Sequence, residues 1–373
     1  MDLSAYPIVD HHAHPFLRKE ITHDAANFRS WFTESTSEIV HERDVRDLIF
    51  YRNALRWLAE LLDCEATEAG VVAARAEVDE KAWADRLFTD ANIEILLCDY
   101  GYGSADAYDH AQMQAMVPCR VEPILRLERM AEGLILECTS YGEMVDRYAA
   151  TVEAACREGY VALKSIIAYR TGLSVEEHQA ADVLAAYAGL AEQGQREGRV
   201  RLASKPLCDF LVTLALNIAR EYAFPVQIHT GFGDSDADLR WANPIHLRSV
   251  IEGYPEVPLV LLHAGWPYYR EMAHLATIYP NVWADLSLAV PFATVGIPEM
   301  MRDMIGMAPI SKLLFATDAF TMPDIFWLAA RWGRWGLGRV LDELVADGFL
   351  LPAEAEEAAR RILADNARAV YLT

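Results

Sequence analysis

The run Asp10-His11-His12-Ala13-His14 sets three imidazoles within four residues, directly after the apolar stretch Ile8-Val9. Imidazole is the commonest metal ligand among side chains and can change charge near neutral pH. Read as the end of a strand, alternate residues face one way. His12 and His14 then point together with Asp10, while His11 and Ala13 point the other way. Two imidazoles on one strand end can take adjacent corners of a divalent cation such as zinc. A surface His-rich turn has the same short pattern, so the pair alone leaves both readings open.

The rest of the chain repeats the signal. Lys164 closes the apolar run Gly159–Ile166, His229 closes Pro225–Ile228, His263 closes Pro258–Leu262, and Asp318 closes Lys312–Thr317. A charged or imidazole group that ends an apolar run costs desolvation free energy unless it is paired or coordinated. One such residue is unremarkable, but several on different strands converging on one mouth are hard to explain without a metal.

These residues need a scaffold that brings strand ends together. Besides Ile8–Val9, buried-strand runs are read at Ile93–Asp99, Val121–Glu128, Gly159–Ile166, Pro225–His229, Pro258–His263, Asn281–Leu286 and Lys312–Asp318, with helix-length segments between them. Near-continuous apolar strands alternating with helices imply a parallel sheet covered on both faces. Eight strands is the number that closes a barrel, whose active site lies at the C-terminal strand ends. The expected fold is therefore α/β, a single (β/α)8 TIM barrel over 1–373. Residues 16–90 are charged and helical, with apolar residues at helical spacing between Ile39 and Leu62. That is too long for a simple connection, and we read it as a helical insertion after the first strand. It packs on the barrel, forms a lid over the pocket or makes a dimer contact.

The chain resembles the amidohydrolase superfamily, in its "amidohydrolase 2" branch. The resemblance rests on Asp10-His11-His12-Ala13-His14, Ile228-His229-Thr230-Gly231, His263-Ala264-Gly265 and Ala316-Thr317-Asp318. Within the branch, Ala162-Leu163-Lys164-Ser165, Ala168-Tyr169-Arg170-Thr171-Gly172-Leu173 and His263-Ala264-Gly265-Trp266-Pro267 are similar to two groups. One is the domain fused to a glutamine-synthetase-like domain in fungal and nodulin-type proteins. The other is the bacterial hydrolases of γ-glutamyl amides. The resemblance implies metal ligation by His12, His14 and His229. It implies that Asp318 touches the metal and takes a proton from the attacking water. It implies that His263 polarises the substrate carbonyl or orients the water, or ligates a second metal. Lys164 stands where binuclear relatives carry a carboxylated lysine bridging two metals; the other reading is a plain lysine on a substrate carboxylate or a neighbouring Asp. One or two divalent ions per chain are expected, zinc first, with manganese or iron also suited to this donor set.

The expected activity is hydrolysis of an amide C–N bond in a small carboxylated substrate such as a γ-glutamyl amide. The alternatives are non-oxidative decarboxylation of an aromatic acid, isomerisation of a sugar acid, and a catalytically silent barrel. Arg170, in the loop after the fourth strand, could fork onto a substrate carboxylate. Arg126 and Glu128 near the end of the third strand could line the pocket, and Tyr100 at the end of the second could contact substrate. Asp234, Asp236, Asp238 and Arg240 read as a solvated turn.

Bulk composition narrows the partners. The net charge of −22 disfavours nucleic acid, which needs clustered Lys and Arg, and anionic membranes. No stretch is long and apolar enough to span a bilayer. The six cysteines are scattered without a Cys-x-x-Cys pair and read as reduced core residues. No basic and apolar leader precedes the first strand, so a cytoplasmic enzyme with a small-molecule substrate is expected, and a homo-oligomer is compatible.

Overall fold

The computed structural model describes residues 1–18, 27–102 and 104–372. Eight strands, all parallel, follow one another around the sheet in chain order. They are β1 (Ile8–Ala13), β2 (Ile93–Asp99), β3 (Arg120–Arg126), β4 (Ala162–Ser165), β5 (Val226–Ile228), β6 (Leu259–Leu261), β7 (Val282–Asp285) and β8 (Leu313–Leu314). β8 keeps only two ladder residues, and the ring is closed by the segment beyond it. Asp318 N donates to His12 O at 3.0 Å and His14 N to Ala319 O at 2.8 Å. The expected barrel is thus present, and the backbone bonds that close it are made by the residues that carry the site.

Side-chain alternation sorts the strands into two layers. Val9, Leu97, Ile124, Ala162, Val260, Leu262 and Leu314 form one buried cluster, shared with Ala364, Ala367 and Tyr371 of the C-terminal segment. These are the barrel interior. Ile8, Leu96, Leu163, Val226, Ile228, Leu259 and Leu261 join the larger cluster of the surrounding helices. The C-terminal residues therefore pack against the strand positions that precede the site.

β1 departs from strict alternation. Its register against β2 is irregular between Asp10 and Ala13, so both His11 and His12 are buried next to interior groups. This corrects the expected sidedness of the motif. His11 stacks on Tyr371, ring centroids 5.5 Å apart, and places Nε2 3.0 Å from Asp285 Oδ1. Asp10 does not join His12 and His14; its carboxylate accepts from Thr317 N at 2.9 Å and Thr317 Oγ1 at 2.5 Å, tying β1 to the segment after β8.

Between β1 and β2 the described residues form four α-helices, α1 (Glu38–Arg43), α2 (Ile49–Leu62), α3 (Glu68–Glu77) and α4 (Glu80–Asp90), and two short 3-10 turns. Part of the expected insertion, 19–26, lies outside the described residues. Its first residues instead follow the barrel rim, since Phe16 bridges to Thr321 and Leu17 to Ala107. A helix was not expected directly after β3, yet α5 (Leu127–Glu137) starts there with Arg126 as its N-cap.

The helix Pro323–Ala346 carries Gly333, Gly336 and Gly338 on its packed side. A Cβ at Gly333 would overlap the ring of the fully buried Phe315. Gly333→Ala is expected to lower stability, because overpacking of about 1–3 kcal/mol outweighs the roughly 1 kcal/mol of helix propensity gained. Gly189 stands exposed in a helix with nothing near its Cβ position. Gly189→Ala is expected to raise stability by up to about 1 kcal/mol. Urea unfolding midpoints at constant m check the opposite signs.

Candidate metal centre and active-site cavity

Three donor groups converge at the C-terminal strand ends. The ligand atoms of His12, His14 and Asp318 lie within 4.8 Å of one another. Asp318 Oδ1 is 3.2 Å from Nε2 of both histidines. His14 Nδ1 sits 3.2 Å from the carbonyl oxygen of Asp99. A carbonyl only accepts, so Nδ1 carries the proton and Nε2 turns a lone pair toward Asp318. Asp318 Oδ1 and His12 Nδ1 are buried and make no hydrogen bond among the described residues. Lone pairs facing a carboxylate repel, and a cation between them removes the repulsion. The donor set therefore fits a divalent metal ion.

Electrostatics point the same way. Burial, with Lys164 close by, pushes the His12 pKa down to about 4. Burial drives His229 and His263 well below the ordinary imidazole range. Burial alone would raise the Asp318 carboxyl, but His263, His12 and His14 outweigh it and hold it well below the usual range. Neutral imidazoles around an ionised carboxylate are the protonation states that metal ligation requires.

The remaining expected residues lie around this triad. Lys164 Nζ is 3.3 Å from His12 Nε2, and burial pulls its pKa down to about 8. His263 places Nδ1 3.2 Å from Asp318 Oδ2 and 2.9 Å from Ser287 Oγ. His229 packs beside it with its ring tilted, ring centroids 4.3 Å apart. His229 Nε2 faces Phe232 O at 3.1 Å, leaving Nδ1 as its acceptor, and the residue stays outside the three-donor group. His263 (φ 69°) and Asp318 (φ 48°) both hold left-handed backbone, a strained conformation for such residues that concentrates at functional sites.

These side chains line one cavity of about 620 Å³. Arg126 and Arg170 line it too. Arg126 is committed to Asp99 through Nε at 2.8 Å and a terminal nitrogen at 2.7 Å, and Arg126 holds the buried Asp99 carboxyl down to about 2 against the effect of burial. Asp99→Asn is expected to cost about 1.5–3 kcal/mol, the range for a hydrogen bond to a charged group, read as a drop in the urea midpoint. Arg170 lies 3.2 Å from Glu132. Tyr100 does not line this cavity. Its hydroxyl is 3.1 Å from His110 Nδ1 and its ring lines a separate surface cleft. Glu128 also stays out, accepting from Ser165 Oγ at 2.6 Å.

Several cavity residues were not singled out by sequence. Trp31, Glu34 and His41 come from the segment between β1 and β2, and the Tyr169 ring lies tilted against His229, centroids 4.2 Å apart. Asp234 and Asp236 line the cavity, whereas Arg240 turns to solvent on Asp238. Asp285 accepts from His263 N and Ser287 N, each at 3.0 Å, and joins them to His11. It ends β7 as Asp318 follows β8, so the strand-end signal was present there as well.

A parallel barrel with a His-x-His pair on the first strand and an aspartate after the eighth defines a metal-dependent hydrolase architecture. The family model described as Amidohydrolase matches residues 172–372, and the chain belongs to that family. It is 29% identical to the FluG protein of Emericella nidulans over 99% of this chain and 46% of that protein, so it spans about half the length of that curated relative. A Lactobacillus casei structure assigned to the metal-dependent hydrolases superposes with a TM-score of 0.90 and 26% identity, covering 100% of this chain and 97% of that one. The uronate isomerase of Thermotoga maritima shares the fold at a TM-score of 0.69 and 16% identity, covering 99% and 95%. No helix among the described residues is long and apolar enough to cross a membrane.

Proposed function

We propose that the protein hydrolyses an amide C–N bond in a small carboxylated substrate, a γ-glutamyl amide being the case to test first. The observation that carries the reading is the meeting of His12 Nε2 and His14 Nε2 on Asp318 Oδ1 inside an amidohydrolase-family barrel. His12, His14 and Asp318 would hold the cation, with His229 Nδ1 as a further donor. Such an ion lowers the pKa of water from about 15.7 to about 7 and polarises a carbonyl. Zinc, manganese and iron all suit the donors.

The chain's own groups supply the rest. Asp318 is the proton acceptor for the attacking water and returns that proton to the leaving amine. His263 turns its Nδ1–H to Ser287 and the Asp318 carboxylate, which leaves Nε2 as an acceptor that orients the attacking water. Guanidiniums in the cavity wall offer N–H donors to a substrate carboxylate. The segment bearing Trp31 and Glu34 acts as a lid that narrows the cavity. Lys164 would bridge a second ion only after carboxylation of Nζ, and its lowered pKa favours the free amine that takes up carbon dioxide.

The test is amine release by metal-replete protein from a panel of γ-glutamyl and N-acyl amides. Turnover of at least one is expected. No amine from any of them, with carbon dioxide released from an aromatic acid instead, would contradict the reading. Metal content read alongside, near two per chain or near one, decides whether Lys164 bridges.

A further inference from the structure

Asp285 ends β7, a strand that supplies none of the residues placed on the cation or the water. Its fully buried carboxylate accepts from four donors. Oδ1 faces His11 Nε2 and the backbone N of Ser287, each at 3.0 Å. Oδ2 faces the backbone N of His263 at 3.0 Å and the Ser287 hydroxyl. A backbone N–H only donates, and one sits on each oxygen, so both oxygens act as acceptors.

That one group sets the direction of the bonds around it. The Ser287 hydroxyl has a single proton, and with that proton on Asp285 Oδ2 its oxygen is left to accept. It accepts from His263 Nδ1, 2.9 Å away. Asp318 Oδ2, 3.2 Å from the same nitrogen, is likewise an acceptor. Both neighbours therefore call for a proton on Nδ1. A neutral imidazole carries only one, so Nε2 has none. On the far side, His11 gives its Nε2–H to Asp285, and its Nδ1 accepts from the Tyr371 hydroxyl at 3.3 Å. Gln227 donates to that hydroxyl at 3.0 Å. His11, Asp285, Ser287 and Gln227 are all fully buried, so bulk water does not compete for these bonds.

We propose that Asp285 and Ser287 are positioning residues for His263, fixing its proton on Nδ1 and leaving Nε2 as the acceptor that orients the attacking water. Asp285 holds the ring through Ser287 and the backbone directly, where φ is 69°. Through His11 it also ties this arrangement to the strand that carries His12. The assignment deepens the hydrolase reading and rests on it for the water, but the place of the proton on the ring can be read without turnover.

NMR of the histidine ring nitrogens in the full zinc-loaded chain tests this, with the His263 signals identified by their loss in His263→Asn. Wild type is expected to show a protonated Nδ1 and an unprotonated Nε2 at His263. Ser287→Ala should raise the ratio of the Nε2–H form to the Nδ1–H form at least about twofold, the lower end of what one neutral hydrogen bond carries. Asp285→Asn presents an amide N–H to a backbone donor or to Ser287, whose own proton then swings toward His263 Nδ1, and the ratio should rise in the same direction. Zinc content and the urea midpoint report whether each variant is folded. Ser287→Ala is the smaller change and carries the test alone where Asp285→Asn does not fold. A proton on Nε2 in wild type overturns the proposal, as does a folded variant of either kind that keeps the wild-type ratio. A chain that shows the expected tautomers but releases no amine from any amide keeps the positioning of His263 and loses the hydrolase reading.

Discussion

Asp318→Asn is expected to lower kcat by a factor of about 10²–10⁴, the contribution typical of a positioned acid–base group. Asparagine is the informative replacement. It tolerates the left-handed backbone that Asp318 holds at φ 48° better than most residues do. Its side-chain oxygen can still face the cation, but it cannot take up a proton. KM should therefore change little while kcat collapses, the pattern of an interaction made only in the transition state. Steady-state kinetics on variant and wild type, with metal content measured on the same samples, checks this. A kcat within tenfold of wild type at equal metal content would remove Asp318 from the proton-transfer role.

A second large effect is expected at the histidines. His12→Ala and His14→Ala each remove one of the three donor groups that, among the described residues, converge within 4.8 Å. Chelation of the wild-type protein should abolish activity, and zinc, manganese or iron should restore it. Neither variant should recover at the same metal concentration. Stability gives an independent reading, because an ion that binds only the folded state adds about 2.7 kcal/mol at a hundredfold excess over its Kd. The metal-dependent rise in Tm should be present in wild type and absent in both variants. Full activity in the chelated protein would contradict a metal role.

The site was legible where chemistry ends an apolar run. His12, His14, Lys164, His229, His263 and Asp318 all line one cavity, because a barrel sends every strand's C-terminal end to the same mouth. What the sequence hid was set by partners far along the chain. The register irregularity in β1, which reverses the expected roles of Asp10 and His11, is decided by pairing with β2 and cannot be read from alternation within β1. The left-handed backbone at His263 lets a residue that follows interior-facing Leu262 reach Asp318, whereas alternation alone would turn it outward. Glu34 and Trp31 carry no local motif and become cavity residues only when their segment folds over the barrel. Tyr100 lies outside the cavity for the opposite reason: a strand-end position alone does not aim a side chain at the mouth, and its hydroxyl turned to His110.

His12, His14 and Asp318 are proposed to hold one divalent cation. Anomalous diffraction from crystals of the metal-replete protein, recorded at the absorption edge of the metal found by elemental analysis, tests it most directly. A peak within coordination distance of His12 Nε2, His14 Nε2 and an Asp318 oxygen is the predicted result. Diffraction data with no peak among those three side chains, from protein that is catalytically active, would contradict it.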